Sequence, residues 1–419
     1  MSVEILPFVS VQADWDEVVR EVASNTISEG SFWIACYMAG KESVQGSVDV
    51  RRIDNYEAAL EGNNGIKVSM LNSRAFKVDC EALGIKDVTV FSPKRQFYPV
   101  KDKAVTCVDI SPNGSLFAAG HGAEVSLGSV SSGDVQITLK GHLSDVSTVQ
   151  FFPSNLVVLT GGSDFLLKIW SVLNGSNPVT LQGHTSAITS TAIISQGRNV
   201  LSSSRDGTVK LWNCGTSSTI ATMGNYKFAI NKMILTKLPA QYKPAEIETL
   251  DPMEVDTADK LVLAALDDGS VRGIHLGTKK EIFATPTNDT PLTAIAYELE
   301  TETIFTGSKN GLVQSFSIKK DLEKPQLQWR RGGYAITSLA IKTNENGEKV
   351  LCVSNADGSV YQTRSLDAVV AASASVHVEA EFSGSELETV YDIKVMPSET
   401  EAGCQRMACA VRDGKIKIY

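Results

Sequence analysis

The residues best equipped for chemistry are two histidine–aspartate pairs. His142 stands 22 residues before Asp164, and His184 stands 22 before Asp206. An imidazole steadied by a carboxylate has the makings of a general base. A base needs something to activate, and that partner is missing. The chain has no G-x-S-x-G, no H-E-x-x-H and no G-x-x-x-x-G-K-[ST]. Gly120-His121-Gly122 opens like a dinucleotide fingerprint, but Val125 stands where the third glycine would be. The seven cysteines (Cys36, Cys80, Cys107, Cys214, Cys352, Cys404, Cys409) form no C-x-x-C, and five histidines leave little for a metal site. Strand-like settings such as VTCVDI bury thiols and make them inert. The expectation is a protein without catalytic site, metal or cofactor. Its thiols are expected to be reduced, in the cytoplasm or nucleus.

The elements around the two pairs repeat. SDFLLKIW at 163–170 aligns with RDGTVKLW at 205–212, so Asp164–Asp206 and Trp170–Trp212 are both 42 residues apart. Gly141-His142 and Gly183-His184 share that period. Weaker copies place Asp268, Asn310, Asp357 and Asp413 at the same turn, while Gly122 and Gly128 replace Asp and Trp in a first copy. That makes seven copies of one grammar: an apolar strand, a second strand, a D-G or N-G turn, and a third strand. The turn dipeptides supply the positive φ angles of a tight hairpin. A period of about 40–45 residues with G-H and W-D-like signatures is that of a propeller blade.

Those residues resemble the WD-repeat family. The resemblance implies a mainly β fold, a seven-bladed β-propeller. It also implies that His142, Thr160, Asp164 and Trp170, and likewise His184, Ser202, Asp206 and Trp212, form buried hydrogen-bond networks that fix each blade. Buried polar groups must be paired, and a repeated, fully paired set reads as scaffold rather than as two active sites.

A ring must not leave an open edge. The last copy ends at its third strand, so its fourth is expected from the N-terminal side, near residues 87–98. Residues 1–86 do not repeat. DWDEVVREVASN (14–25) reads as a short helix, and four Gly- and Asn-bounded apolar stretches between 31 and 80 read as strands. This is a small N-terminal α+β module, at about the minimum size for its own core. The propeller is assigned to 87–419. Within it, residues 237–259 form an insertion with six acids, two lysines and three prolines, expected to be a solvated loop or an acidic docking segment.

Charge narrows the partner. Lys plus Arg is 39 and Asp plus Glu is 48, for a net −9. Nucleic acid and anionic membranes draw basic proteins, so neither is expected. The start MSVEILPFVSVQ has no basic residue before Arg20 and no long apolar stretch, unlike a signal peptide. Most of the excess lies in the insertion and in a second stretch, 379–401, with seven acids against Lys394. Both are candidate docking surfaces for a basic partner, with a solvated loop the alternative for the insertion.

The second and third copies, FFPSNLVVLTGGSDFLLKIWSV (151–172) and QGRNVLSSSRDGTVKLWNCG (196–215), look like the proteasomal ATPase-associated factor family. That resemblance implies a chaperone of the proteasome's regulatory particle. It would bind the C-terminal domain of one ATPase subunit, assist assembly of the base and hinder premature docking on the core particle. As a lone chain it is expected to be a monomer. Aligning the copies puts Arg205, Asp267, Lys309 and Arg412 just before the turn position, and Phe165 just after it. Asp145, Tyr334 and Glu388 precede first strands. These eight are the candidate partner contacts, with the aromatics and Arg205 favoured as anchors. Two other readings compete. A substrate receptor of a cullin-type ubiquitin ligase usually shows W-D-x-R, but Ser171 and Asn213 follow the two tryptophans. A propeller enzyme would need acids, histidines or metal ligands in its channel.

Overall fold

The computed structural model describes residues 2–53, 57–244, 250–367, 375–398 and 404–419. Each copy folds where its apolar strands alternate with turn residues. The first four blades take four strands each, starting at Cys107–Ile110, Val146–Phe151, Ile188–Ile194 and Ile230–Lys237. Blades five to seven start at Leu292–Glu298, Ile336–Thr343 and Val390–Val395. These innermost strands touch in sequence order, and the last touches the first, closing a ring.

A local irregularity joins blade to blade. Near the start of the innermost strand the register shifts by one residue in blades two to seven. Such a bulge turns one side chain away from the ladder. In blade two Ser147 Oγ donates to Ile188 O of the next blade at 2.5 Å. In blade four Asn231 Nδ2 donates to Leu292 O at 2.8 Å, and in blade five Thr293 Oγ1 donates to Ile336 O at 2.5 Å. Blade one does the same with Thr106 Oγ1 and Val146 O, at 2.9 Å. Blade six does so with Thr337 Oγ1 and Val390 O, so the contact recurs at five blade junctions.

The closing strand is Arg95–Phe97, which pairs antiparallel with Ile416–Ile418. It is only part of the stretch 87–98. Phe97 anchors it, with its ring 4.9 Å from that of Phe117 in blade one. The neighbouring strand Ile85–Phe91 takes another course. It pairs antiparallel with Ala75–Cys80 and parallel with Val378–Phe382, the outer strand of blade six. The sheet of blade six therefore runs on into the N-terminal module as seven strands. Serine and proline at 92–93 break the chain between the two roles.

The module has a helix, Trp15–Ala23, over a sheet that includes Glu29–Tyr37, Val44–Arg52 and Ala58–Gly62. Trp15, Val19 and Val22 lie on one helical stripe and are buried. Trp15, Phe32 and Phe76 form the ring cluster of its core, with centroids 4.7–5.9 Å apart. The very start of the chain is also built in. Glu4–Ile5 pairs parallel with Leu327–Arg330 of blade five.

A buried ion pair sits where module and ring meet. The Arg331 guanidinium makes two hydrogen bonds to the Glu381 carboxylate, and both side chains are almost wholly buried. The same guanidinium donates to Pro7 O at 3.2 Å and stacks over Tyr361 at 4.3 Å. Glu381 also accepts Val9 N. Trp15 Nε1 donates to Ser383 Oγ at 2.8 Å. Burial pushes the Glu381 carboxyl up, against the pull of Arg331.

Candidate functional site

The two histidine–aspartate pairs are built identically. His142 Nδ1 lies 2.9 Å from Asp164 Oδ2, its Nε2 lies 2.7 Å from Thr160 Oγ1, and Trp170 Nε1 donates to that hydroxyl at 2.8 Å. In the next blade His184 Nδ1 lies 2.7 Å from Asp206 Oδ2. Its Nε2 is 2.8 Å from Ser202 Oγ, which takes Trp212 Nε1 at 2.8 Å. One proton order satisfies every group. The indole N–H donates to the hydroxyl, the hydroxyl O–H donates to Nε2, and Nδ1–H donates to the carboxylate. That order needs neutral imidazoles, and burial holds both histidines below their usual range, although the carboxylates pull the other way.

Neither carboxylate is free for catalysis. Asp164 also accepts Leu143 N at 2.9 Å and Leu166 N at 3.2 Å. Asp206 accepts Thr185 N, Thr208 N and Thr208 Oγ1. Burial alone would raise the Asp206 carboxyl, but these donors together hold it below the usual carboxylate range. The leading glycines also have a reason. A side chain on Gly183 would meet the Trp212 ring at 3.1 Å, and one on Gly141 would meet Trp170 at 3.0 Å.

The innermost strands carry acids as well, and lysines hold them. Lys394 Nζ is 2.7 Å from Asp109 Oδ1, and Phe151 N donates to Asp109 Oδ2. Lys232 of blade four reaches to 3.9 Å from Asp392 of blade seven. Among the described residues no group of three His, Cys, Asp or Glu is placed to hold a metal ion. Burial raises the thiol of Cys107 to about 12 and those of Cys214 and Cys352 to about 11. None of them is an activated nucleophile.

The eight candidate contacts share one end of the ring. Strands alternate in direction, so the turn between second and third strands lies beside the loop that enters the first. A backbone bond ties the two in six blades: Ser163 N to Asp145 O, Arg205 N to Ala187 O, Asp267 N to Ala229 O, Lys309 N to Pro291 O, Ala356 N to Ala335 O, and Arg412 N to Thr389 O. Asp145, Phe165, Arg205, Asp267, Lys309, Tyr334 and Arg412 are exposed there, and Glu388 is half-buried. Asp267 is partly engaged, taking Asn231 Nδ2 at 2.7 Å. Phe165 holds φ +70°, in the left-handed region, and is 42% exposed.

The same end presents large apolar side chains that reasoning from the copies missed. Leu143 and Leu387 are 87% and 89% exposed, and Tyr98 and Phe228 are about half exposed. All four sit in loops entering a first strand. The usable signal is register: Leu143 directly follows the conserved-spacing His142, where the next copy has Thr185.

The acidic segments are placed differently from expectation. The insertion 237–259 joins the first and second strands of blade four, so it lies at the end of the ring away from these loops. Residues 245–249 fall outside the described ones. The rest packs on the protein instead of standing free in solvent. Met253 O accepts Asn199 Nδ2, Val255 N donates to Asn199 Oδ1, and Glu254 pairs with Lys279 at 2.6 Å. In the stretch 379–401, Glu381 is buried in its ion pair, Glu379 accepts Gln362 Nε2, and Glu386 accepts Gly384 N. Glu399 and Glu401 lie outside the described residues. Among the described acids of the two segments, Glu254, Asp259, Glu381 and Asp392 are paired with basic side chains of the chain itself.

Comparison with known proteins agrees with this architecture. Residues 91–125, 133–171 and 175–213 match the family described as WD domain, G-beta repeat. The chain is 27% identical over 148 residues to "Proteasomal ATPase-associated factor 1" of Homo sapiens, covering 35% of this chain and 36% of that protein. It is 29% identical over 160 residues to "Probable proteasomal ATPase-associated factor 1" of Dictyostelium discoideum, covering 37% and 35%. A shorter match, 38% over 66 residues, is to "WD repeat-containing protein 18" of Homo sapiens, covering 16% and 15%. The matches to the proteasomal factors thus span about a third of those relatives' length. The fold is mainly β and fits a WD-repeat propeller, with three stretches matching that repeat, and the resemblance to the proteasomal ATPase-associated factor family is borne out.

Proposed function

We propose that this WD-repeat chain is a non-catalytic scaffold that binds a proteasomal ATPase subunit through its loop face. On this reading it holds the subunit's C-terminal domain, assists assembly of the regulatory-particle base and hinders premature docking on the core particle. The observation that carries the reading is the loop face itself. Six blades aim turn and loop at one side by the same backbone bond, and exposed aromatic, leucine and arginine tips stand on it. Interface anchors are drawn from such residues. The names of the relatives supply the class of partner. Saturated His–Asp networks and lysine-paired channel acids support a scaffold rather than an enzyme. The seven unpaired thiols suit a reducing compartment, cytoplasm or nucleus.

Affinity capture of the full chain, with identification of the chains that come with it, tests the proposal. Proteasomal ATPase subunits are the expected companions. Cullin-adaptor subunits in their place would overturn the reading. The face is tested by Arg205→Glu and Tyr334→Ala, each of which should weaken capture.

A further inference from the structure

The loop that enters blade seven is anchored differently from its counterparts in blades two and three. There the blade's own turn aspartate ties the loop down: Leu143 N donates to Asp164, and Thr185 N donates to Asp206. Blade seven has no histidine in its loop, residues 383–389, and its Asp413 faces Lys415 at 3.5 Å and Lys417 at 3.7 Å instead. Two other sources supply the anchors. From the last strand, Tyr419 Oη donates to Ser383 O at 2.6 Å, and the buried Lys417 ammonium donates to Gly384 O and Ser385 Oγ. From the N-terminal module, Trp15 Nε1 donates to Ser383 Oγ at 2.8 Å. That hydroxyl donates in turn to Phe91 O at 3.0 Å, and Ser383 N donates to the same carbonyl at 2.8 Å. The module thus holds the first residue of a loop on the partner-facing end of the ring.

The loop so anchored carries a strained tip. Leu387 holds φ +66° and is 89% exposed. A bulky residue keeps that backbone only where its surroundings over-determine it, and such strain gathers at binding sites. Leu387 N donates to Asp357 O in the blade six turn at 3.1 Å, and Glu388 N donates to Ser385 O at 3.0 Å. The module reaches the neighbouring loop as well. Leu6 N donates to Arg330 O at 3.0 Å, and Pro7 O accepts the Arg331 guanidinium, three residues before the exposed Tyr334. We infer that the N-terminal module is a positioning element for the loop face, setting the blade-seven loop through the Trp15–Ser383 contact so that Leu387 stands at a fixed place beside blade six. Trp15 is wholly buried, so it is a positioning residue and not itself a contact. The inference rests on the reading of the loop face as the partner surface.

Trp15→Phe removes one N–H and keeps an aromatic ring. In the free full chain, amide hydrogen exchange over residues 384–389 should speed up roughly threefold to tenfold, while exchange over 142–146 of blade two stays unchanged. Ser383→Ala removes the acceptor of the same bond and should act alike, which serves if the tryptophan variant folds poorly. Unchanged exchange over 384–389 in both variants, or an equal rise in both loops, would overturn the inference. A second arm measures binding to immobilised C-terminal domains of proteasomal ATPase subunits. Leu387→Ala and Trp15→Phe should each weaken it, and the two together should weaken it no more than Leu387→Ala alone, because the tryptophan acts through that loop. A merely structural role would cost the same in either background, so an additive loss would also overturn the inference. Normal binding by Leu387→Ala would overturn the loop-face reading at this blade, whereas the exchange result decides the positioning without any partner, so the two failures are told apart.

Discussion

Blades two and three and the seam at blade six are both held by buried polar groups, but by opposite designs. In the blades, donor and acceptor lie 22 residues apart or fewer, every group is neutral or saturated, and the unit is copied. At the seam, Glu381 meets Arg331 across 50 residues and Val9 across 372. There a full charge pair is desolvated, and its strength depends on both partners being present. The contrast teaches that a repeat protein can secure its blades by local, redundant networks and yet join a non-repeating module through strand pairing and one unrepeated buried ion pair.

The sharpest way to break this comparison is at the seam. Glu381→Ala leaves Arg331 buried without a counter-charge and should cost about 3–5 kcal/mol in urea denaturation. The double change Arg331→Met with Glu381→Leu should recover much of that loss, since apolar replacement of a buried pair is often neutral. A single variant as mild as a surface change would mean the seam is held elsewhere. In a blade, Asp206→Ala should cost less, about 1.5–3 kcal/mol, through the lost charged hydrogen bonds. Combined with His184→Leu it should be less than additive, because the two act in one network.

Acid titration separates the regions more finely. Burial lowers the folded-state value of His142 and His184 below the unfolded value near 6.5. Between those values the unfolded chain binds more protons. The histidines' contribution is therefore complete above about pH 6.5 and is lost as pH falls toward the folded value. Asp206, also held low, adds a loss in the same direction as pH falls below about 4. Denaturation midpoints should decline from about pH 7 to about pH 5. In a His142→Gln, His184→Gln variant that decline should flatten, and an unchanged slope would assign it to other groups. The smallest expected effect on stability is on the loop face. Tyr334→Ala and Arg205→Glu should stay within about 0.5 kcal/mol of the parent while weakening partner capture.

Legibility followed sequence distance. The turn aspartates, the tryptophans and the G-H dipeptides could be read because each network closes inside one copy. The junction donors Thr106 and Ser147 stand 41 residues apart, nearly the repeat period. They escaped notice because small polar residues in a strand carry no distinctive signal until the register shift is seen. The acidic insertion was read by composition alone. Composition does not reveal that Glu254 finds Lys279 or that Asn199 holds the segment by its backbone.

By itself, then, the chain's order of residues determined the blades: period, turn chemistry, network membership and the need for a closing strand. All of these rest on contacts within one repeat or on the rule that a sheet edge must be paired. Tertiary structure alone decided three things. It attached Ile85–Phe91 in parallel to Val378–Phe382. It sent the acidic insertion to the end of the ring away from the loop face. And it brought Val9, Arg331 and Glu381 together at a common seam. The physical reason is the same in each case. These residues meet only after the ring has closed, so their neighbours are set by the geometry of the closed sheets and not by any local pattern of side chains.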